Sequence, residues 1–284
     1  MVLSVRAEGE GRPVVVLPWF GVDGSFAAAA VEPVFADIDG WRRWYVDLPG
    51  TGESPPVDPS SDAGLDALEE TVSATLGLAP FHLAGCSYGG YLAAGLVRRI
   101  PDRVRGLLLV CSGVKIGLEQ RNLRGVLASS PQPGWLADVP EELRGHFEVA
   151  VGRQTRGVAS LLAAAFQGNG STDDGYLDDL RANGYPLSDE DVTHRYDGAV
   201  TILAGRHDRI AGHVDQLDAL GRYPHGSYVA LADAGHYLPF EQPDRFTALT
   251  LDWLFQGTNT GPVIDPLSGC PVVAWCNPRA GGLP

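Results

Sequence analysis

The sequence FHLAGCSYGGYLAA, residues 81–94, decides the fold. Its first half is a short non-polar run, and its second half is rich in small residues that suit a closely packed helix. Between the two halves stands the pattern Gly85-x-Ser87-x-Gly89. A serine between two such glycines, directly after a strand and before a helix, is typical of a nucleophile held on a sharp turn. The segment therefore predicts a strand, a turn that exposes Ser87, and a helix.

The predicted turn places the Ser87 hydroxyl at the N-terminus of the helix, where backbone N–H groups and the helix dipole favour negative charge. The glycines leave room for the helix to pack against the strand, because they have no Cβ. The alternative interpretation is a glycine-rich turn that Ser87 merely caps, since a five-residue pattern often arises by chance. The strand and helix on either side favour the nucleophile.

Non-polar strands alternate with helices on both sides of this segment. Further strands are predicted at residues 2–6, 14–17, 41–48, 104–111, 199–205 and 227–231, and helices at 26–35, 61–76, 214–220 and 243–255. Such near-continuous non-polar strands are typical of a sheet that is covered on both faces. The predicted fold class is α/β, with a mostly parallel central sheet and helices on both faces.

The alternation stops between residues 114 and 196, which have helical tendency but contain several prolines and glycines. A segment of this length is too long for a loop inside a compact domain. We therefore predict a helical lid at 114–196, inserted into a core formed by residues 1–113 and 197–256. Residues 257–284 are rich in glycine and proline, which predicts an irregular tail.

The balance of acidic and basic residues limits the kinds of partner that the chain can bind. The 284 residues include 35 acidic and 21 basic side chains, for a formal net charge of −14, which argues against nucleic-acid and anionic-membrane partners. No signal peptide or membrane-spanning run is recognised, so a cytoplasmic protein is expected.

Cys86 and Cys111 are expected to be reduced core residues, whereas Cys270 and Cys276 could pair. No Cys/His set has metal-ligand spacing, and no metal or other cofactor is expected.

Four motifs follow one another in an informative order. Residues 47–54 read DLPGTGES, residues 85–89 read GCSYG, residues 204–208 read AGRHD and residues 234–239 read AGHYLP. They resemble, in turn, the D-x-x-G-x-G-x-S turn, the nucleophile elbow, the acid loop and the histidine loop of the α/β-hydrolase superfamily. The resemblance implies the fold predicted above and the activity of a serine hydrolase.

The resemblance also implies a catalytic triad of Ser87, Asp208 and His236. His236 would accept the Ser87 proton and return it to the leaving group, while Asp208 would orient His236 and stabilise its charged form. Asp233 is the rival acid, because it lies close to His236 in the sequence; Asp208 is preferred because it directly follows a strand, although it could instead cap the next helix. His207 is expected to point elsewhere, and the remaining histidines are expected at the surface or in loops.

Two backbone N–H groups would bind the oxyanion of the tetrahedral intermediate. One belongs to Tyr88, and the other to the loop that follows the strand at 14–17. In this loop Pro18-Trp19 replaces the family's usual His-Gly pair, so that Phe20 takes the position of the donor. The choice between Phe20 and Trp19 stays open.

Specificity is expected to depend on the lid and the oxyanion loop. The predicted substrate contacts are Trp19, Trp135, Phe166 and Tyr237, although most aromatic residues of a lid simply form its own core. A long lid and an aromatic-rich loop suit a bulky non-polar substrate. The predicted function is hydrolysis of a small-molecule carboxylic ester or lactone through an acyl-enzyme, with a macrocyclic lactone antibiotic as one candidate. The alternatives are a lyase, perhydrolase or acyltransferase without a cofactor, or a non-catalytic binding protein of the same fold.

Overall fold

One sheet of seven strands forms the centre of the computed structural model, which describes residues 1–192 and 194–256. Its strands are β1 (Val5–Glu8), β2 (Arg12–Leu17), β3 (Trp41–Val46), β4 (Phe81–Cys86), β5 (Val104–Val110), β6 (Ala199–Gly205) and β7 (Gly226–Leu231). They lie in the order β1-β3-β2-β4-β5-β6-β7. β1 pairs with β3 in antiparallel orientation, and the other neighbouring strands pair in parallel. The predicted fold class is confirmed.

The strand order reverses between β2 and β4. From β2 the chain continues outward to β3, and it then returns to place β4 on the other side of β2. The loops that leave the carboxyl ends of β2 and β4 therefore diverge, and a crevice opens between them. Ser87 and the predicted oxyanion loop lie at this crevice.

The helices flank the sheet in the order that the sequence predicts. They are α1 (Gly24–Val31), α2 (Ser61–Leu76), α3 (Tyr88–Arg99), α4 (Glu141–Ala150), α5 (Arg156–Gln167), α6 (Asp174–Asn183), α7 (Val214–Ala219), α8 (Leu238–Glu241) and α9 (Pro243–Phe255). α2 and α9 have the predicted bounds. The helix predicted at 26–35 is instead split into α1 and a 3-10 turn at Glu32–Phe35, where Pro33 has no N–H to continue the α-helical pattern.

Two hydrophobic clusters cover the two faces of the sheet. Alternate residues of a strand point to opposite faces, so Val14 and Val16 of β2 join one cluster while Val15 and Leu17 join the other. The first cluster contains Phe26 of α1, and we call it the Phe26 cluster. The second contains residues of α2 and α3, and we call it the α2–α3 cluster.

The helical segment between β5 and β6 packs into both clusters. Phe147 of α4 and Leu162 of α5 join the Phe26 cluster, whereas Leu177 and Leu180 of α6 join the α2–α3 cluster. These helices therefore share their cores with the sheet. The function of residues 114–196 as a lid stays a prediction, and the predicted tail at 257–284 lies outside the described residues.

Cys86 and Cys111 are buried and free, as the sequence predicts. Burial raises the pKa of both thiols, so they are protonated at neutral pH. Cys270 and Cys276 lie outside the described residues. Within residues 1–192 and 194–256, no helix combines the length and the non-polar character needed to cross a bilayer, and no cluster of His, Cys, Asp and Glu is suited to hold a metal ion.

His82 on β4 is an exception to the prediction that the remaining histidines lie at the surface or in loops. Its ring packs edge-on against Trp41 and Trp253, with centroid separations of 5.1 and 5.5 Å. Burial lowers the pKa of His82 to about 4, and the charges of Arg12 and Arg105 act in the same direction. The neutral ring is therefore the form that fits the core.

This position predicts a loss of stability in mild acid. The unfolded chain takes up a proton on His82 near pH 6.5, whereas the folded protein takes it up only near pH 4. The stability that the neutral ring contributes is complete above the first value and is lost as the pH falls to the second. We expect this one group to lower the free energy of unfolding by up to about 3 kcal/mol over that interval. Denaturant titrations of wild type and His82→Phe at several pH values measure the effect, and parallel pH profiles would contradict it.

Candidate active site

Ser87 stands on a strained turn between β4 and α3. Its backbone dihedrals are φ 52° and ψ −116°, a region that residues with a side chain rarely adopt. The Ser87 N–H donates to the Val110 carbonyl at 2.9 Å, and the Ser87 carbonyl accepts from the Gly113 N–H at 3.2 Å. These bonds to the end of β5 and the segment after it hold the turn in place.

The two glycines of the motif are required by close backbone contacts. A Cβ on Gly85 would lie 2.5 Å from the Gly89 carbonyl oxygen, and a Cβ on Gly89 would lie 2.3 Å from the Pro18 carbonyl oxygen. The Gly89 N–H also donates to that Pro18 oxygen at 3.0 Å. The loop after β2 is thereby fixed against the turn that carries Ser87.

The structure brings together the three predicted triad residues. Ser87 Oγ lies 2.9 Å from His236 Nε2, and His236 Nδ1 lies 3.0 Å from Asp208 Oδ2. Asp208 is fully buried, and its Oδ1 accepts the N–H groups of Ile210 and Ala211 at 2.8 and 2.9 Å. Each carboxylate oxygen therefore has a partner, and the side chain is fixed in the direction of His236.

The rival acid lies elsewhere. Asp233 is exposed at the surface, where it contacts Gln242 and lies 3.6 Å from Arg153 Nε. Among the described residues no hydrogen bond joins Asp233 to the His236 ring. His207 donates its N–H to the Ala234 carbonyl, and its side chain makes no hydrogen bond to the triad within the described chain.

A buried carboxylate supports the loop that carries His236. Glu241 Oε2 accepts the N–H groups of Gly152, Arg153 and Gly235 at 2.7–2.8 Å, and its Oε1 accepts the Tyr237 N–H at 3.1 Å. Burial raises the pKa of Glu241 to about 7, and the four N–H groups oppose this shift. Nothing in the local sequence distinguishes Glu241 from an ordinary helical glutamate, so this role could not be predicted.

The predicted oxyanion donors belong to Tyr88, which directly follows Ser87, and to Phe20, which lies in the loop after β2. Tyr88 opens α3, so its N–H has no acceptor within the helix. The Phe20 ring packs edge-on against the Tyr88 ring at 5.4 Å, and the Trp19 indole N–H donates to the His236 carbonyl at 3.2 Å. Trp19 therefore connects the loop after β2 to the histidine loop. The assignment of the second donor to Phe20 stays a prediction.

A cavity of about 540 Å³ opens above Ser87 and His236. The predicted substrate contacts Trp19 and Tyr237 line it, as does Phe20. The other lining residues are Gly113, Ile116, Leu118, Arg121, Leu123, His146, Arg181, Tyr185, Arg209, Ile210 and Ala211.

Trp135 and Phe166, the other two predicted substrate contacts, are not among the residues that line this cavity. Trp135 is buried in the Phe26 cluster. Phe166 on α5 packs against Phe26 at 4.8 Å and against Tyr237 at 5.9 Å between ring centroids, and thus lies behind the cavity wall. Both aromatic residues belong to the core that the inserted helices share with the sheet.

His146 of α4 is a cavity residue that the sequence analysis missed. Its Nε2 lies 2.7 Å from the Tyr237 hydroxyl, and the ring forms part of the cavity wall. Burial lowers the pKa of His146 to about 4, and the charge of the nearby His236 acts in the same direction. His146 is therefore neutral at physiological pH and adds no charge beside the triad.

The turn at residues 47–54 connects structural elements. Asp47 Oδ1 accepts the Gly24 N–H at 2.9 Å, and its Oδ2 accepts the Glu53 N–H at 3.0 Å. Asp47 thereby ties the end of β3 to the start of α1. Asp47, Gly50 and Gly52 do not line the cavity above Ser87.

Comparison with known proteins identifies the class to which this fold and site belong. The sequence profile of the alpha/beta hydrolase family matches residues 14–249, and the chain belongs to that family. One curated relative is the pimeloyl-[acyl-carrier protein] methyl ester esterase of Shewanella woodyi, which is 34% identical over 110 residues, 39% of this chain and 40% of the relative. The chain spans about two-fifths of the length of the first curated relatives it matches.

Solved structures show the same architecture over most of the chain. An alpha/beta superfamily hydrolase from Oenococcus oeni has a TM-score of 0.79 and 26% identity, with coverage of 89% of this chain and 96% of that one. A thermophilic esterase from Thermogutta terrifontis has a TM-score of 0.64 and 22% identity, with coverage of 89% and 93%. The second likeness concerns the fold alone.

The four hydrogen bonds of Glu241 predict a large effect of Glu241→Gln. The amide replaces one acceptor oxygen with an NH₂ group, which would face backbone donors and leave them unpaired. We expect a loss of about 2 kcal/mol in the free energy of unfolding, measured by denaturant titration at pH 8. Glu53→Gln, at an exposed carboxylate, is the control and should change stability by less than about 0.5 kcal/mol. Equal stabilities for the two variants would contradict the conclusion that Glu241 supports the loop that carries His236.

Proposed function

We propose that this chain is a serine hydrolase that cleaves carboxylic esters through an acyl-enzyme intermediate. The observation that carries the proposal is the hydrogen-bonded series from Ser87 Oγ through His236 to Asp208 Oδ2, with separations of 2.9 and 3.0 Å. A serine hydroxyl is a weak nucleophile unless an adjacent base removes its proton, and this series supplies the base and its orienting acid.

In the proposed reaction, Ser87 Oγ attacks the ester carbonyl carbon while His236 Nε2 accepts the hydroxyl proton. The carbonyl oxygen becomes an oxyanion, which the N–H of Tyr88 and the N–H of Phe20 stabilise. Asp208 stabilises the positive charge that forms on His236. The C–O bond to the alcohol then breaks, and the alcohol leaves with the proton from His236.

The second half of the reaction repeats these proton transfers with water. His236 removes a proton from a water molecule, which attacks the acyl carbon. Ser87 then leaves and recovers its proton from His236. The products are a carboxylic acid and an alcohol, and for a lactone substrate they are the two ends of one opened chain.

The size of the cavity is compatible with a small-molecule ester. Its volume of about 540 Å³ falls within the range typical of sites for small ligands. The name of the Shewanella woodyi relative, a methyl ester esterase, supports the choice of esters. Lactones, including the macrocyclic candidate, contain the same reactive group and remain within the proposal.

The Ser87→Ala variant tests the nucleophile. Without the Oγ atom no acyl-enzyme can form, so we expect kcat on a 4-nitrophenyl ester to fall by about 10³-fold or more. Covalent labelling by a fluorophosphonate, measured by the mass of the intact protein, should disappear. Ser73→Ala, on the exposed side of α2, is the control and should keep both properties. Undiminished turnover by Ser87→Ala would remove Ser87 from the mechanism; labelling of the wild type without turnover of any ester would favour a non-hydrolytic enzyme.

A comparison of Asp208→Asn with Asp233→Asn tests the acid. The amide at position 208 presents the wrong partner to His236 Nδ1, and the expected loss in kcat is up to about 10⁴-fold. Asp233 is exposed and forms no hydrogen bond to the His236 ring among the described residues, so Asp233→Asn should change kcat by less than about twofold. If the two losses in kcat are reversed, the acid is Asp233 and not Asp208. Far-ultraviolet circular dichroism of both variants establishes that they are folded.

A further inference from the structure

Three arginines line the cavity above Ser87, and each comes from a different segment of the chain. Arg121 lies in the segment that follows β5, Arg181 lies on α6, and Arg209 lies in the loop after β6. Among the described residues that line the cavity, none is an aspartate or a glutamate. The cavity is thus locally basic in a chain whose formal net charge is −14.

Among the described residues, no buried carboxylate forms an ion pair with Arg121 or Arg181. Arg121 donates its two Nη groups to the main-chain carbonyls of Ile116 and Ile210 at 2.6 and 2.8 Å. Arg181 Nη1 lies 3.5 Å from Asp178 Oδ1, but the Asp178 side chain is 79% exposed. An ion pair in such an exposed position is weak.

Arg209 is exposed and forms no ion pair with any described residue. The chain pairs other arginines closely: Arg98 binds both oxygens of Asp189, with N–O distances of 2.7 and 2.5 Å. No carboxylate of the described residues binds Arg121, Arg181 or Arg209 through two oxygens in this way. Their guanidinium groups therefore keep the capacity to bind an anion from solution.

Arg181 also contacts a residue beside Ser87. Its guanidinium carbon lies 4.5 Å from the centroid of the Phe20 ring, a cation–π contact beside the proposed oxyanion loop. Burial raises the pKa of Tyr185, while the charges of Arg121 and Arg181 act in the opposite direction. Two of the three guanidinium groups thus act on one cavity residue.

We infer that Arg121, Arg181 and Arg209 bind an anionic group of the substrate, a carboxylate or a phosphate, at a distance from the ester bond. The inference rests on the proposed function and narrows its substrate class to anionic esters. Planar guanidinium groups match the oxygen geometry of both anions. The non-polar residues Ile116 and Leu123 also line the cavity and would contact the chain that joins the anion to the ester.

Two esters that differ only at the far end of the acyl chain provide the test. These are 4-nitrophenyl hexanoate and 4-nitrophenyl hydrogen adipate, in which a carboxylate replaces the terminal methyl group. The wild type should have a kcat/KM for the adipate ester that is at least about tenfold higher. Added NaCl should reduce this preference, because salt screens the partly exposed charges.

Substitutions of single arginines show which residues produce the preference for the adipate ester. Arg209→Gln and Arg181→Gln should each lower the adipate-to-hexanoate ratio of kcat/KM by about fivefold or more. Arg245→Gln, on the exposed face of α9 and outside the cavity, is the matched control and should keep the wild-type ratio. Inhibition of hexanoate cleavage by free adipate, compared with inhibition by inorganic phosphate, distinguishes a carboxylate site from a phosphate site.

A direct binding measurement separates this inference from the proposed function. Calorimetric titration of wild type, Arg209→Gln and Arg181→Gln with adipate and with phosphate needs no turnover. If neither ester is cleaved but an anion binds and either substitution weakens it, the anion site stands and the proposed function fails. If the esters are cleaved with no preference for the anion, or if the preference survives both arginine substitutions, the inference is overturned while the proposed function stands. Absence of both turnover and binding overturns both.

Discussion

The hydrogen bond from the Gly89 N–H to the Pro18 carbonyl is the contact on which the site depends. It joins the two loops that leave the sheet at the point where the strand order reverses. Any side chain at position 89 would place a carbon 2.3 Å from that carbonyl oxygen, so only glycine permits the contact. The strained backbone of Ser87 is held next to it by the end of β5. The position of Ser87 is therefore set by main-chain groups of three parallel strands and the loops that follow them.

The histidine loop depends on a different part of the chain. The His236 N–H donates to the Ala150 carbonyl at 2.7 Å, and Glu241 connects the same loop to Gly152 and Arg153. The backbone at 150–153 connects α4 to α5, within the segment between β5 and β6. Packing is equally tight there, because a Cβ on Gly152 would lie 2.5 Å from the Gly235 nitrogen. The segment between β5 and β6 is thus part of the support for His236.

The parts of the fold that could be predicted from the sequence are those fixed by local patterns. Continuous non-polar strands, the amphipathic α2 and the glycines around Ser87 predicted the sheet, most of the helices and the position of the turn. Side-chain roles that depend on distant contacts could not be read in this way. Trp135 and Phe166 are aromatic residues like Trp19, and only tertiary packing separates core from cavity wall. Glu241 and His146 have no local signature, because their partners lie 91 residues away for His146 and up to 89 residues away for Glu241.

The backbone connection between α4 and the histidine loop limits which parts of the segment between β5 and β6 can be exchanged between family members. Residues 121 and 181 contribute side chains to the cavity wall, whereas residues 150–153 hold the loop of His236 through main-chain groups. A substitution at either of the first two positions changes the cavity wall but does not remove these main-chain bonds. If the whole segment between β5 and β6 were replaced by that of another family member, the cavity wall and the backbone support of His236 would both change. Chimeras that retain residues 150–153 are therefore the ones in which the cavity wall can be exchanged while the backbone support of His236 is kept.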